Sequence, residues 1–375
     1  MNELLSPTAR TWAEIDMAAL KHNYEIARAT GKKVMCVIKA DAYGHGAVRC
    51  GRYLEKCGAD AFAVACLSEA LELRQGGITK TILILGYTSH EYAKVLADND
   101  ITQTLVDESH ALELNEAANV TVKGHIKLDT GMSRAGLFAQ GHDAAMKAAE
   151  AAERMSKLSN VKVTGMYTHF CVADTPDQDE FTAWQLENYK TVMNYLTEKG
   201  LRPETCHTSN SAGILYHPET QIDMVREGVI LYGMYPDSMP QYGPLKPVMT
   251  LKSHVSQVRD FPAGATVSYG RTFKGDKPFT TAVVLAGYAD GYPRRLSNNT
   301  TVTINGVRYP QAGRICMDMC MVLADKDKVK RGDEVTLIGG NSISWEDAAQ
   351  KVGTINYELT CLVTNRVPRV YINED

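Results

Sequence analysis

Eight short apolar segments rich in β-forming residues recur through the first two-thirds of the sequence and alternate with segments of helical periodicity. The predicted strands are 34–38, 61–65, 81–85, 101–106, 125–128, 161–167, 204–207 and 222–225. The predicted helices are 47–56, 68–75, 91–98, 109–117, 143–156 and 181–199. Alternating strands and helices favour a parallel sheet, and eight strands close a barrel. We therefore predict an α/β protein that begins with a (β/α)8 TIM-type barrel.

The pattern changes after about residue 243, where helical stretches become rare and turn signals separate short strand-like runs. The predicted strands of this part are 249–258, 265–269, 281–285, 301–304, 335–338 and 366–371. Residues 237–247 contain three prolines and a glycine, which is typical of a linker. We predict two domains, a barrel over residues 1–243 and a mostly β domain over residues 244–375, as the length of 375 residues also suggests.

The charge balance gives no indication of nucleic acid or an anionic membrane as partner, because 40 basic and 44 acidic residues leave a net charge of -4. The sequence has no apolar run long enough to span a bilayer, and its start has no signal-peptide pattern. Nine cysteines without a C-x-x-C pair argue against a zinc site and for reduced thiols. We expect a cytoplasmic protein without a metal.

Polar residues follow several predicted strands at their C-terminal ends, where the active sites of barrels form. They are Lys39 after the first strand, Arg134 after the fifth, His169 after the sixth, Asn210 and Ser211 after the seventh, and Arg226 and Gly228 at the eighth. The loops after strands seven and eight commonly bind phosphate. Ser211 and the backbone N–H groups near Gly228 suit that task, since glycine lets an anion approach the backbone.

Lys39 at the end of the first strand has two interpretations. A buried amine is costly when charged, and its neutral form is the one that Schiff-base chemistry needs. Alternatively, the side chain extends to solvent at the rim. Taken singly, Arg134 and Arg226 could equally be structural ion-pair partners and His169 a core histidine, but their position on the same rim favours a cofactor site.

Residues 37–46, with the sequence VIKADAYGHG, closely resemble the bacterial alanine racemases. The resemblance continues in order at 127–136, 168–170, 210–212, 226–228, 267–272, 287–294, 313–319 and 355–358. It implies a pyridoxal-phosphate-dependent isomerase with a barrel and a β domain, working as a homodimer with shared active sites. It further implies that the enzyme interconverts L- and D-alanine and supplies D-alanine for peptidoglycan.

The resemblance also assigns roles to residues. Lys39 carries the cofactor as a Schiff base, and the backbone of Met317 helps to hold the substrate carboxylate in the partner's site. Arg134 contacts the cofactor's phenolic oxygen and the substrate carboxylate, while Lys127 matches a lysine that is carbamylated in several members. The cofactor-binding residues implied are Lys39, Tyr43, Arg134, His169, Asn210, Ser211, Arg226, Gly228, Val229 and Tyr357. Those implied to hold the phosphate are Tyr43, Ser211, Gly228, Val229 and Tyr357.

Racemisation requires a proton to leave one face of Cα and another to arrive at the opposite face, which two bases achieve directly. The resemblance implies that Lys39 serves the D-substrate and Tyr269 the L-substrate. Tyrosine is a weak base near neutral pH and needs cationic neighbours. The implied link from Arg226, at the pyridine nitrogen, through His169 to Tyr269 would supply them.

Three alternatives share parts of this pattern. Decarboxylases of the same architecture call for an acidic partner at the pyridine nitrogen, where this chain has Arg226. Single-barrel carriers of pyridoxal phosphate lack a second domain. Serine racemases of vancomycin-resistant bacteria carry a smaller polar residue where this chain has Tyr357. Because a methylene-sized difference is worth only about 1–3 kcal/mol, we expect a secondary activity on serine.

Overall fold

The computed structural model describes residues 10–117, 119–175, 177–236 and 245–374. Eight parallel strands form the barrel: the first seven pair successively in chain order, and the eighth pairs with the first. These strands are Lys33–Val37, Ala61–Val64, Thr81–Ile84, Ile101–Leu105, Val122–Asp129, Val161–Tyr167, Thr205–His207 and Met224–Glu227. Between the seventh and eighth strands the backbone N–H of Asp223 donates to Cys206 O at 3.1 Å, and that of Arg226 to Ser209 O at 3.0 Å. The predicted eight-stranded barrel is confirmed.

Helices surround the barrel in the order that the periodicity predicted. They are Met17–Arg28, Ala47–Cys57, Leu67–Gln75, Ala93–Asp98, Glu108–Ala117, His142–Ser156, Asp179–Glu198 and the short Ser211–Tyr216. The first and last of these were not predicted. Alternate residues of each strand face opposite layers. Phe62 and Val64, for example, pack in the large core with the helices, whereas Ala61 and Ala63 belong to a separate cluster with Met35.

A second sheet forms the C-terminal domain, and its central strand is Met249–Phe261. The other strands after residue 245 are Thr266–Val267, Phe273–Lys274, Phe279–Val284, Thr301–Ile304, Val307–Pro310, Cys320–Leu323, Glu334–Ile338 and Arg369–Ile372. Two helices, Trp345–Val352 and Asn356–Cys361, are present in addition to the predicted strands. The predicted strand at 265–269 is shorter than expected, because the chain turns at Tyr269–Arg271. The mostly β character of this part is confirmed.

The strand Thr11–Asp16 joins the two parts of the chain. It pairs antiparallel with Met249–Phe261 and parallel with Arg369–Ile372, so it belongs to the second sheet. This strand is not among the predicted ones, and its residues lie in the range 1–243 predicted for the barrel. A two-residue strand, Leu137–Phe138, pairs in parallel with the C-terminal end of the fifth barrel strand. The boundary at residues 243 and 244, and most of the predicted linker 237–247, lie outside the described residues. No helix in the described ranges is long and apolar enough to cross a membrane.

Candidate active site

A cavity of about 540 Å³ opens at the C-terminal ends of the barrel strands. Its size is in the range of small-molecule and cofactor sites. The predicted site residues that line it are Lys39, Tyr43, Lys127, Arg134, His169, Asn210, Ser211, Arg226, Gly228, Val229 and Tyr357. The structure therefore brings together every site residue that was predicted on the barrel, and adds Tyr357 from the helix Asn356–Cys361. Tyr269 and Met317 do not line this cavity.

The backbone after Lys39 forms a left-handed turn. Four consecutive non-glycine residues, from Ala40 to Tyr43, have φ between 52° and 54°. Such a conformation costs roughly 1–2 kcal/mol per residue, so surrounding contacts must impose it. The Asp41 carboxylate accepts a hydrogen bond from Ala47 N–H at 2.7 Å, and His45 Nδ1–H donates to Ala42 O at 2.9 Å. The turn holds Lys39 at the cavity, where burial, and then the charge of Arg134, lowers the pKa of its amine.

The hydroxyl groups of Ser211 and Tyr43 meet at Gly228. Gly228 N–H donates to Ser211 Oγ at 3.0 Å. A Cβ on Gly228 would lie 3.4 Å from both hydroxyl oxygens, so glycine keeps the space between them open. The Tyr43 ring packs against Tyr232 and stands edge-on to Tyr357. The result is a polar pocket of two hydroxyl groups beside a glycine, which suits a phosphate group.

Arg226 is buried, with 3% of its surface exposed, and no carboxylate among the described residues pairs with it. Its Nη1 donates to His207 O at 2.9 Å and contacts His207 Nδ1 at 3.0 Å. Its Nη2 donates to Thr168 O at 2.7 Å and to Thr208 O at 2.9 Å, and lies 3.4 Å from His169 Nδ1. Burial lowers the pKa of Arg226 to about 10. Within the described residues, no hydrogen bond leaves from its Nε.

Three residues that sequence analysis missed support Arg226 from inside the barrel. His207 stacks on the Tyr167 ring with centroids 4.9 Å apart, and its Nε2 lies 3.0 Å from His125 Nδ1. Burial, and then Arg226, lowers the pKa of His207, and burial lowers the pKa of His125 to about 4. Both rings are therefore neutral. Since Arg226 donates to Nδ1 of His207, the Nε2–H of His207 donates to His125.

Lys127 lies two residues after His125 on the same strand and lines the cavity. It is 5% exposed, its Nζ donates to Leu128 O at 3.0 Å, and the amine lies 5.1 Å from the centre of the Tyr167 ring. Burial, with Arg226 and Arg134 as further causes, lowers the pKa of Lys127 to about 7. A substantial fraction of this amine is therefore neutral and nucleophilic at neutral pH.

Tyr269 and Met317 both lie on the second domain, and neither lines the cavity of its own chain. Tyr269 is 71% exposed and Met317 is 53% exposed. Ser268, with φ of 64°, precedes Tyr269 and anchors the turn by donating from Oγ to Arg314 O at 2.6 Å. The carbonyl of Met317 accepts a hydrogen bond from Ala289 N–H at 3.0 Å. Strained and well-anchored backbone that presents exposed side chains is typical of binding surfaces.

Both parts of the chain match known protein families. Models of the alanine racemase N-terminal and C-terminal domains match residues 15–236 and 248–371. An alanine racemase of Methanococcus maripaludis is 43% identical over 374 residues, covering 96% of this chain and 98% of that protein. Among solved structures, alanine racemase of Clostridium difficile 630 gives a TM-score of 0.92 at 40% identity, covering 98% of this chain and 97% of that chain. Alanine racemase from Bacillus anthracis with bound L-Ala-P gives 0.86 at 33% identity, covering 98% and 96%. The resemblance inferred from the motifs is confirmed.

Proposed function

The chain belongs to the alanine racemase family and interconverts L-alanine and D-alanine, and we propose that it does so with pyridoxal phosphate on Lys39 and with Tyr269 as the second base. The observation that carries the proposal is the cavity, which gathers Lys39, a buried Arg226 with no acidic partner among the described residues, and the hydrogen-bonded pair Ser211–Gly228. A lysine with a lowered pKa is suited to Schiff-base formation.

The residues present fit the cofactor. The space between the hydroxyls of Ser211 and Tyr43, which a Cβ at Gly228 would narrow, accepts a phosphate. Val229 would contribute its backbone N–H and Tyr357 its hydroxyl to the binding of the phosphate. Asn210 caps the short helix that carries Ser211. The Nε–H of Arg226 would face the pyridine nitrogen. A cation at that nitrogen leaves it unprotonated, which suits racemisation better than reactions that need an acid there.

The proton chemistry falls to two side chains. When bound, pyridoxal phosphate withdraws electrons from the substrate and so makes the Cα hydrogen acidic. The Lys39 amine, whose pKa is lowered by burial, removes the proton from D-alanine. The Tyr269 phenol works on the opposite face and removes the proton from L-alanine. Arg134 would orient the substrate carboxylate. His169, whose Nδ1 lies 3.4 Å from Arg226 Nη2, would link Arg226 to Tyr269.

We propose that the working unit is a homodimer. Tyr269 and Met317 are exposed on the second domain and do not line the cavity that contains Lys39. A partner's second domain would place both against this cavity. Mixing Lys39→Ala chains with Tyr269→Phe chains tests the shared site, because a heterodimer then contains one intact site. If activity does not return while subunit exchange is demonstrated independently, the composite site is wrong.

Lys127 is proposed to be carbamylated, which would reverse its charge and let it orient Arg134. The support is its pKa of about 7, which leaves a neutral amine to react with carbon dioxide. Peptide mass mapping of protein kept in bicarbonate would show the carbamate on Lys127. An unmodified Lys127 together with full activity would reject this role.

Two finer statements about the reaction follow from the family. Supply of D-alanine for peptidoglycan predicts that cells without the gene require added D-alanine for growth. A secondary serine activity should be weaker by about 10–200-fold, since Tyr357 limits space at the substrate side chain. Comparing kcat/KM for L-alanine and L-serine, with Tyr357→Ser as the variant that opens the site, tests this.

The central assignment is tested by reduction. Borohydride treatment of the holoenzyme should fix the cofactor on the peptide that contains Lys39. A Lys39→Ala protein should give no labelled peptide. A label on another lysine would overturn the assignment.

A further inference from the structure

Glu69 connects the lysine-bearing turn to the neighbouring barrel strand. Its Oε1 accepts a hydrogen bond from Ala40 N–H at 2.7 Å, and its Oε2 accepts one from Ala65 N–H at 2.7 Å. Ala40 directly follows Lys39, and Ala65 directly follows the second barrel strand. One carboxylate therefore ties together the backbone at the ends of the first two barrel strands. Both bonds are charge-assisted, so they are short and strong.

The position of Glu69 in its helix makes this contact unusual. Glu69 is the third residue of the helix Leu67–Gln75, where an acidic side chain commonly reaches back to the backbone of the residue that caps the helix. Here the carboxylate passes the capping residue Cys66 and reaches Ala65, which leaves its second oxygen for Ala40. The local capping pattern has thus been extended into a long-range contact with the lysine turn.

The contact falls where the turn begins. Ala40 is the first of the four consecutive residues with positive φ, so its N–H defines how the chain leaves Lys39. Two further side-chain contacts, from Ala47 N–H to the Asp41 carboxylate and from His45 Nδ1–H to Ala42 O, hold the middle and end of the turn. Glu69 also places a negative charge near the Lys39 amine. This charge raises the pKa of Lys39, against the lowering by Arg134, and Cys361 raises the pKa by less.

We propose that Glu69 is a positioning residue for Lys39: by holding Ala40 and Ala65 with one carboxylate, it fixes the direction in which the lysine amine enters the cavity. The inference rests on the proposed role of Lys39 and deepens it. A base displaced by about 1 Å loses on the order of 10²-fold in rate. Loss of this carboxylate should therefore act on the proton transfer that Lys39 performs.

The test compares Glu69→Ala and Glu69→Gln with Glu72→Gln. Glu72 is an exposed residue of the same helix and also carries a carboxylate, which interacts electrostatically with Asp41 and Glu69. Within the described residues, however, no hydrogen bond joins the Glu72 side chain to the turn. We expect kcat to fall by about 10–100-fold in Glu69→Ala. Glu69→Gln, which keeps one acceptor oxygen, should lose less, and Glu72→Gln should match the unaltered enzyme.

Two readouts separate positioning from general damage. Exchange of the Cα hydrogen with solvent deuterium should slow more from D-alanine than from L-alanine in the Glu69 variants. Backbone hydrogen–deuterium exchange of the peptide covering residues 40–44 should accelerate in Glu69→Ala and less in Glu69→Gln. If Glu69→Ala does not fold, the same two comparisons are made with Glu69→Gln.

The outcomes distinguish this inference from the proposed function. If borohydride labels a lysine other than Lys39 in the unaltered enzyme, the proposed function fails first. If Lys39 is labelled but both Glu69 variants behave like Glu72→Gln, only the positioning role fails. Equal slowing of exchange from both enantiomers would likewise reject it, because the positioning role predicts a larger effect on proton removal from D-alanine.

Discussion

Replacing Tyr269 with phenylalanine should nearly abolish racemisation while it leaves the fold unchanged. The side chain is 71% exposed in the single chain, and the substitution removes only its hydroxyl. The free energy of unfolding of the chain should therefore change by less than about 0.5 kcal/mol. A positioned acid–base group contributes about 10²–10⁴-fold to a rate. That corresponds to about 3–5 kcal/mol of transition-state stabilisation, several times the expected change in stability.

The assay that isolates the role of Tyr269 is exchange of the Cα hydrogen in deuterium oxide, followed by NMR for each enantiomer separately. Exchange from D-alanine should persist, because Lys39 remains, whereas exchange from L-alanine and conversion between the enantiomers should collapse. Tyr92→Phe is the matched control, since Tyr92 is 48% exposed on the barrel and lies outside the cavity.

The reasoning is refuted if exchange slows equally from both enantiomers, which would mean that the phenol only packs against the site. It is also refuted if Tyr269→Phe loses stability in proportion to its loss of rate. Because Arg226, His169 and Tyr269 are proposed to act as a unit, the measured loss is a difference between two enzymes and not the separate share of Tyr269.

Three further perturbations test other parts of the structure. Gly228→Val should fill the space between Ser211 and Tyr43 and weaken cofactor binding by about 1–3 kcal/mol. Cofactor affinity measured by absorbance titration should then fall by about 5–150-fold, and unchanged affinity would contradict the phosphate assignment. Asp290→Asn should cost about 3 kcal/mol in urea unfolding, since Asp290 is 1% exposed and pairs with Arg10 at 2.6 Å and Arg366 at 2.7 Å, whereas the exposed Asp318→Asn should cost below about 1 kcal/mol. Burial lowers the pKa of His45 to about 3, so the unfolded chain, whose histidine titrates near pH 6.5, binds the proton first as the pH falls. The unfolding free energy should then drop by up to about 1.4 kcal/mol per pH unit below about pH 6.5, and His45→Gln should reduce that slope; equal slopes would contradict the assignment.

The barrel and its rim could be predicted because both follow from local patterns. Buried parallel strands are continuous apolar runs, and their alternation with helices recurs eight times along the sequence. Once a barrel is accepted, every residue at the end of a strand faces the same rim. Lys39, His169 and Arg226 could therefore be assigned to one site from sequence, and the structure places all three on one cavity.

Residues whose role depends on the orientation of the side chain, or on contacts with residues far away in sequence, could not be predicted. His207 and His125 are ordinary polar residues within strands until the barrel register points both rings inward and brings them to 3.0 Å. The left-handed turn after Lys39 carries no glycine signal from residue 40 to residue 43, and contacts such as the one from Glu69 hold it. Such conformations are imposed by the surrounding structure and not by the propensity of the residues themselves.

The sequence by itself determined the barrel, the mostly β second part and the chemical types of the residues at the rim, because strand and helix periods are properties of neighbouring residues. Only the tertiary structure decided that Thr11–Asp16 completes the second sheet, through pairing with Met249–Phe261 and Arg369–Ile372. It also decided that Tyr269 is exposed and does not line the cavity of its own chain. Pairing and orientation of this kind arise from contacts between segments far apart in sequence, for which a local period carries no signal.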